Sequence, residues 1–288
     1  MPQEIRFTRR SVLKTAALAA TGLPLLGHPL VRGAPAPAGR PATLRLGVAT
    51  YSLNEMPADA LIVALRELRI TNAGLFRTHC PWDGAIDACR AIGEKFRQAG
   101  ITISGTGVVN LTKDEAAARR AFENAKAAGL QTMVCKPAPE ALPLIDRLVK
   151  EYDQRLAIHN HGPEDRVYPS PLDAWRAVQP FDARIGLCLD VGHAARAGTD
   201  PVAAIRQCAA RLYDVHLKDS AAPAGALRDV AVPVGAGKLD IRGMLQALID
   251  IDYRGVVAFE YEKSDGNKLA GLAESVGFVR GMLAAMTA

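Results

Sequence analysis

The sequence predicts an α/β protein, a single (β/α)8 barrel preceded by a cleaved export signal, and three observations carry that expectation. From Pro41 onward, short apolar, β-branched runs alternate with Ala/Leu/Glu/Arg segments of helical period, the pattern of a parallel sheet wrapped by helices. Eight such runs occur, and their starts fall about 25 to 30 residues apart until the last, which follows a longer insertion. Residues 42–288 then have the usual length of a closed barrel, roughly 250 residues. No sharp change of composition divides them, so one domain is expected there.

The elements follow in order. The chain opens MPQEIRFTRRSVLKTAALAATGLPLLG, with Arg9 and Arg10 paired in a basic segment ahead of a weakly apolar Ala/Leu-rich run. That is the layout of an export signal and stands outside the fold. Thr8-Arg9-Arg10-Ser11-Val12-Leu13-Lys14 resembles the twin-arginine leader, which implies the twin-arginine export machinery as a partner and a periplasmic or secreted location. Cleavage after Ala34 or Ala36 would leave Pro at the new N-terminus, so the cut is placed after Ala38, giving a signal peptide over 1–38. Gly22, Pro24, Gly27 and His28 interrupt the apolar segment, and no permanent membrane span is expected.

The eight runs are LRLGVATYSL (44–53), NAGLFRTHC (72–80), ITISGTGVV (101–109), LQTMVCKP (130–137), RLAIHNHG (155–162), IGLCLDVGH (185–193), LYDVHLKD (212–219) and GVVAFEYE (255–262). Each gap holds a helical segment such as DALIVALRELR or DEAAARRAFENAKAAG, one βα unit per gap, and a terminal helix is expected around 268–286. An open doubly wound sheet is the alternative, but neither G-x-G-x-x-G nor G-x-x-x-x-G-K-[ST] stands at a strand end. GAGK at 235–238 has Leu239 where a phosphate loop needs Ser or Thr, and it reads as a flexible loop.

Composition narrows the partners. Four of the five net positive charges lie in residues 1–38, where Arg6, Arg9, Arg10, Lys14 and Arg32 face only Glu4. The mature chain is left near neutrality, which argues against nucleic acid and favours a small molecule. The cysteines Cys80, Cys89, Cys135, Cys188 and Cys208 show no C-x-x-C pair and read as buried small residues, although an oxidising compartment would permit one disulfide.

The polar chemistry collects at strand ends, the active face of such a barrel. Outside the leader, all five histidines, His79, His159, His161, His193 and His216, stand at the C-terminal ends of runs. Side chains alternate along a strand, so residues two apart share a face. Asp190 therefore shares the barrel-interior face with Cys188 and Gly186, His216 with Asp214 and Lys218, and Glu260 with Ala258 and Glu262. Buried carboxylates that converge pay a desolvation cost and repel each other. One divalent cation resolves both problems, and a mixed His/carboxylate set suits Mn, Co, Fe or Zn.

LAIHNHG, IGLCLDVGH, DVHLKD and VAFEYE, in that order, resemble the xylose-isomerase-like TIM barrels, the sugar phosphate isomerase/epimerase superfamily, from about residue 44 to the end. The resemblance implies a divalent metal held by Asp190, His216 and Glu260, with His193 as a substrate contact. It implies a carboxylate on the fifth strand, where this chain carries His159. His159 is then the fourth ligand, and the two-glutamate proton transfer of the family loses one carboxylate base.

The implied activity is isomerisation or epimerisation of a small carbohydrate or keto-sugar, by proton abstraction next to a carbonyl through a metal-stabilised enediolate. Glu260 is the first candidate base, with His161 or Glu164 in place of the missing carboxylate. Lys218 stabilises developing negative charge or is a strand-end surface lysine, His79 contacts substrate from the second strand or is structural, and Trp82 and Tyr51 pack against a sugar ring or in the core. Because His159 replaces a carboxylate, a lyase or hydratase on a keto-sugar is the second reading, as in the inosose dehydratase branch. A non-catalytic exported sugar- or metal-binding protein is the third. An abasic-site nuclease is disfavoured by charge and by too few ligands for a metal cluster.

Overall fold

The computed structural model describes residues 44–130, 132–222, 225–226, 228–263 and 266–286. The leader expected over 1–38 lies outside the described residues. The first half of the barrel runs β1 Arg45–Ala49, α1 Ala58–Glu67, β2 Asn72–Leu75, α2 Ile86–Gln98, β3 Thr102–Thr106, β4 Val109–Leu111, α3 Glu115–Ala127, β5 Thr132–Pro137 and α4 Leu142–Tyr152. It continues β6 Arg155–His159, α5 Pro171–Val178, β7 Ile185–Asp190, α6 Val191–Arg196, α7 Pro201–Gln207 and β8 Leu212–Leu217. Then come β9 Asp219–Ser220, β10 Ala231–Val232, α8 Ile241–Asp250, β11 Val256–Phe259 and α9 Lys268–Met286.

The main sheet is parallel, in the order β3-β2-β1-β11-β8-β7-β6-β5-β4. That order begins and ends on consecutive strands. β3 pairs with β2, and β4 pairs with β5, so the two are halves of one stave interrupted at Gly107 and Val108. The eight expected runs are the eight staves, and the ring closes through the broken third one. Thr106 Oγ1 ties the closure by donating to the Val134 carbonyl at 2.8 Å.

Period-two alternation sorts the side chains. Small interior residues, Ala49, Val256 and Ala258 on one side and Val134, Ala157 and Cys188 on the other, fill the barrel. Their neighbours Leu187, Leu189, Val257 and Phe259 face outward into the larger core beneath the helices. Burying each of these larger side chains stabilises the fold by roughly 1.5–3 kcal/mol. Helix starts are capped where the sequence supplies Asp or Ser: Asp114 accepts from Ala117 N, and Ser170 with Asp173 forms a capping box for α5, each cap contributing about 1 kcal/mol.

α9 is long and apolar enough to cross a membrane by composition, yet Leu272, Val276 and Val279 are buried in the core. All five cysteines are free and buried. The GAGK segment differs from the flexible loop expected. The Asp219 carboxylate accepts from the backbone N–H groups of Gly235, Gly237 and Leu239 at 2.9–3.2 Å. A nest of amides cradles an anion there, and the anion is the protein's own. Gly237 is required by close approach, since a Cβ would stand 2.0 Å from Asp219 Oδ1.

Candidate functional site

Strand register assembles the site. β6 pairs with β7 so that His159 lies beside Cys188. β7 pairs with β8 with a register shift after Leu187, which sets Cys188 beside Asp214 and Asp190 beside His216. The extra residue in β8, Tyr213, restores the parity that puts Asp190 and His216 on the same interior face. β11 pairs Ala258 with His216, and Glu260 N donates to the Leu217 carbonyl at 3.0 Å, bringing Glu260 to the same rim.

Four donor atoms converge. His159 Nε2, Asp190 Oδ2, His216 Nδ1 and Glu260 Oε2 all lie within 4.8 Å of one another. His159 Nε2 stands 3.0 Å from His216 Nδ1 and 3.5 Å from Asp190 Oδ2, and His216 Nδ1 stands 3.1 Å from Glu260 Oε2. Donors on one ion at about 2.1 Å are separated by roughly 3 to 4 Å, so the set fits a divalent metal. Asp190 Oδ2 supports the fit: it is buried without a hydrogen bond, although Lys218 Nζ lies 3.1 Å away, out of line.

Asp190 also does what an ordinary helix cap does. Its Oδ1 accepts from His193 N at 2.8 Å, which caps α6 and turns Oδ2 toward the donor set. Asn160, between the two strand-end histidines, clamps the Asp190 backbone through two hydrogen bonds, Nδ2 to its carbonyl at 3.1 Å and Oδ1 from its N–H at 2.9 Å. The HNH motif contains this residue, but nothing local in the sequence marks it as a positioning group.

Burial pushes His159 down to about 3 and His193 down to about 4, so both rings are neutral. Burial opposes the charge on Asp190, but Lys218 and the nearby histidines outweigh it and hold the carboxyl well below the usual range. At Glu260, Lys218 and His216 likewise outweigh burial and keep the carboxyl ionised. At His216, Cys188 and Glu260 outweigh burial and raise the ring above its ordinary value.

Lys218 is no surface residue. It is 4% exposed, and its ammonium lies 2.9 Å from Glu260 Oε2 and 2.7 Å from Glu262 Oε2, with His193 Nε2 at 3.4 Å. Glu262 is thus a third carboxylate on this ammonium, beside Asp190 and Glu260.

The cavity above these groups has a volume of about 250 Å³ and is lined by His159, His161, His193, His216, Glu260 and Glu262, with Tyr51 and Phe76 across from them. Tyr51 stacks edge-on against Phe76 with ring centres 4.9 Å apart. His161 Nδ1 lies 3.4 Å from Asp165 Oδ2, and Lys136 pairs with the same carboxylate. Burial lowers the His161 pKa while Asp165 opposes the fall.

Three other candidates stand elsewhere. Glu164 does not line the cavity; it pairs with Arg196, whose Nη1 lies 3.2 Å from His193 Nδ1. His79 spends both ring nitrogens on Thr50 Oγ1 and the Met56 carbonyl. Trp82 is 4% exposed and donates its indole N–H to the Leu75 carbonyl at 2.9 Å, facing a neighbouring pocket. Asp165, Lys136 and Glu262 are the partners that sequence reasoning missed; only the shared strand face of Glu262 with Glu260 hinted at one of them.

Comparison with known proteins agrees with the barrel fold. The chain is 29% identical over 153 residues to the rhizopine catabolism protein MocC of Rhizobium meliloti, a match covering 44% of this chain and 46% of that protein. It thus spans about half the length of that relative. The fold is similar to that of 3-keto-D-glucoside 4-epimerase YcjR from E. coli, at 12% identity and a TM-score of 0.68 over 83% of this chain and 100% of that one. It is also similar to the probable 3-DHS dehydratase AsbF of Bacillus anthracis, at 12% identity and a TM-score of 0.67 over 82% and 99% of the two chains. The family model for the xylose isomerase-like TIM barrel matches residues 75–282, from the second stave into the terminal helix, and the chain belongs to that family.

Proposed function

We propose that the chain is a divalent-metal-dependent isomerase or epimerase of a small carbohydrate or keto-sugar, working by proton abstraction next to a carbonyl. One observation carries the reading: two imidazoles and two carboxylates converge within 4.8 Å on the floor of a cavity that also holds His161 and Glu262. A bound Mn, Co, Fe or Zn ion would supply a Lewis acid for the carbonyl oxygen.

The rest is the work of this chain's own side chains. Glu260 takes the proton next to the carbonyl. Lys218 offsets the negative charge that develops on the substrate oxygens. His161, oriented by Asp165, returns a proton in place of the carboxylate that His159 displaces, and His193 contacts a hydroxyl. The structural neighbours include an epimerase and a probable dehydratase, which is consistent with chemistry of this class.

A second reading, a lyase or hydratase on a keto-sugar, is favoured by the Asp165–His161 pair, because an imidazolium can protonate a departing hydroxyl. Incubating metal-loaded protein with keto-sugars in deuterated water, followed by NMR, decides between them. Deuterium uptake with rearranged product supports the isomerase, loss or gain of water the lyase, and no exchange across a broad panel leaves sugar or metal binding alone. We further propose export through the twin-arginine pathway to the periplasm or beyond it, with no nucleic acid partner; cell fractionation with the paired Arg9 and Arg10 replaced by Lys tests the route.

A further inference from the structure

The interruption in the third stave has a neighbour. A second cavity of about 220 Å³ lies between that stave, the end of β2 and the start of α3, and it shares Phe76, Gly107 and Val108 with the His-lined cavity. Gly107 makes the boundary low: its backbone passes so close to Phe76 that a Cβ would stand 2.6 Å from Cδ2 of that ring. Only a residue without a side chain fits there, and the wall between the cavities is a strip of backbone beside one aromatic ring.

The second cavity is lined on its inner side by Trp82, Val109, Leu111 and Ala118. Trp82 has already spent its N–H on the Leu75 carbonyl and offers only ring surface. Polar groups, Arg77, Asp83, Asn110 and Thr112, are exposed at the rim. A sugar pushed into this space would strand hydroxyls against carbon, whereas a flat apolar group would gain burial.

We propose that the substrate is a keto-glycoside, its ketone-bearing sugar ring over the four donor atoms and an apolar, aryl-type aglycone in the second cavity. The proposal rests on the carbohydrate reading above and names the substrate class for it. The argument for this occupant is the thin wall that the second cavity shares with the candidate active site at Phe76, Gly107 and Val108, together with an inner lining that has no polar side chain left to satisfy.

Calorimetry on the full chain loaded with Mn2+ tests it with p-nitrophenyl β-glucoside, methyl β-glucoside and cellobiose, which lack the ketone and so report binding without turnover. Burying one aryl ring should tighten binding about tenfold or more over the methyl glycoside. Ala117→Phe, at an exposed lining position on α3, should bring that ratio to about one, and Asn110→Trp on the opposite rim should do the same. Equal affinity of the aryl and methyl glycosides overturns the proposal, as does a ratio that survives both substitutions. Cellobiose binding more tightly than the aryl glycoside also overturns it, since the cavity then takes a second sugar. Deuterium exchange into free keto-sugars without any aryl preference removes the aglycone and leaves the isomerase reading standing. An aryl preference lost in Ala117→Phe, with no exchange into any keto-sugar, does the reverse.

Discussion

His159 Nε2 and His216 Nδ1 face each other at 3.0 Å inside the barrel mouth, with the Asp190 carboxylate beside the first and the Glu260 carboxylate beside the second. Burial holds His159 neutral, at about 3, so its lone pair is available at any physiological pH.

The first expectation concerns that lone pair. His159→Ala should weaken Mn2+ binding at least about a hundredfold, since even residues behind metal ligands commonly contribute 10–100-fold. Titration calorimetry reads it directly. Stripping the wild type with a chelator should lower its melting temperature, and the variant's melting should respond little to metal. An unchanged affinity in His159→Ala would sink the assignment of the fourth ligand.

Lys218 gives a separable expectation. Its ammonium touches Glu260 and Glu262, so Lys218→Met should reduce kcat by roughly 10²-fold with little change in KM, as for loss of a group that meets charge developing in the transition state. A purely structural lysine would show the opposite pattern, a lower melting temperature and an intact kcat in the surviving folded fraction.

Asp165→Asn removes the carboxylate beside His161 while keeping its shape. Because Asp165 raises the His161 pKa against burial, the substitution should move the ring's titration to lower pH and cut kcat about tenfold or more. NMR titration of the ring gives the shift independently of turnover. If the titration stays put, His161 is not oriented through Asp165.

Asp214, one layer below His216, supplies a pH expectation. Burial raises its carboxyl to about 7, and its Oδ1 accepts only from its neighbour Val215 N among the hydrogen bonds of the described residues. An acid raised in the folded state binds more protons folded than unfolded, so stability falls as pH rises from about 4 to about 7 and is flat above. Asp214→Asn should therefore be more stable than wild type by on the order of a few kcal/mol at pH 8, with the gap closing toward pH 4. Denaturant melts at the two pH values check the sign; a gap that widens in acid contradicts it.

Much of this architecture was legible in the linear pattern. Alternation within each run dictated which side chains enter the barrel, and so placed Asp190, His216 and Glu260 on interior faces before any contact was known. At Asp190 a helix cap and the candidate metal role coexist, because its two oxygens serve different partners.

Other features depend on distance in space. The fold alone brings Lys136 of β5 to the Asp165 carboxylate beside His161, and Asn160 to the Asp190 backbone, since those partners come from different staves. Proximity in sequence misplaced Glu164, which the turn after β6 hands to Arg196. His79 and Trp82 sit at strand ends, yet each closes its hydrogen bonds within the wall. What the sequence by itself determined was which residues face inward, because a strand's period of two is a local property of the backbone. What only the tertiary structure decided was which of them meet, because register, the shift at Tyr213 and the break at Gly107 arise where separate strands pack against one another.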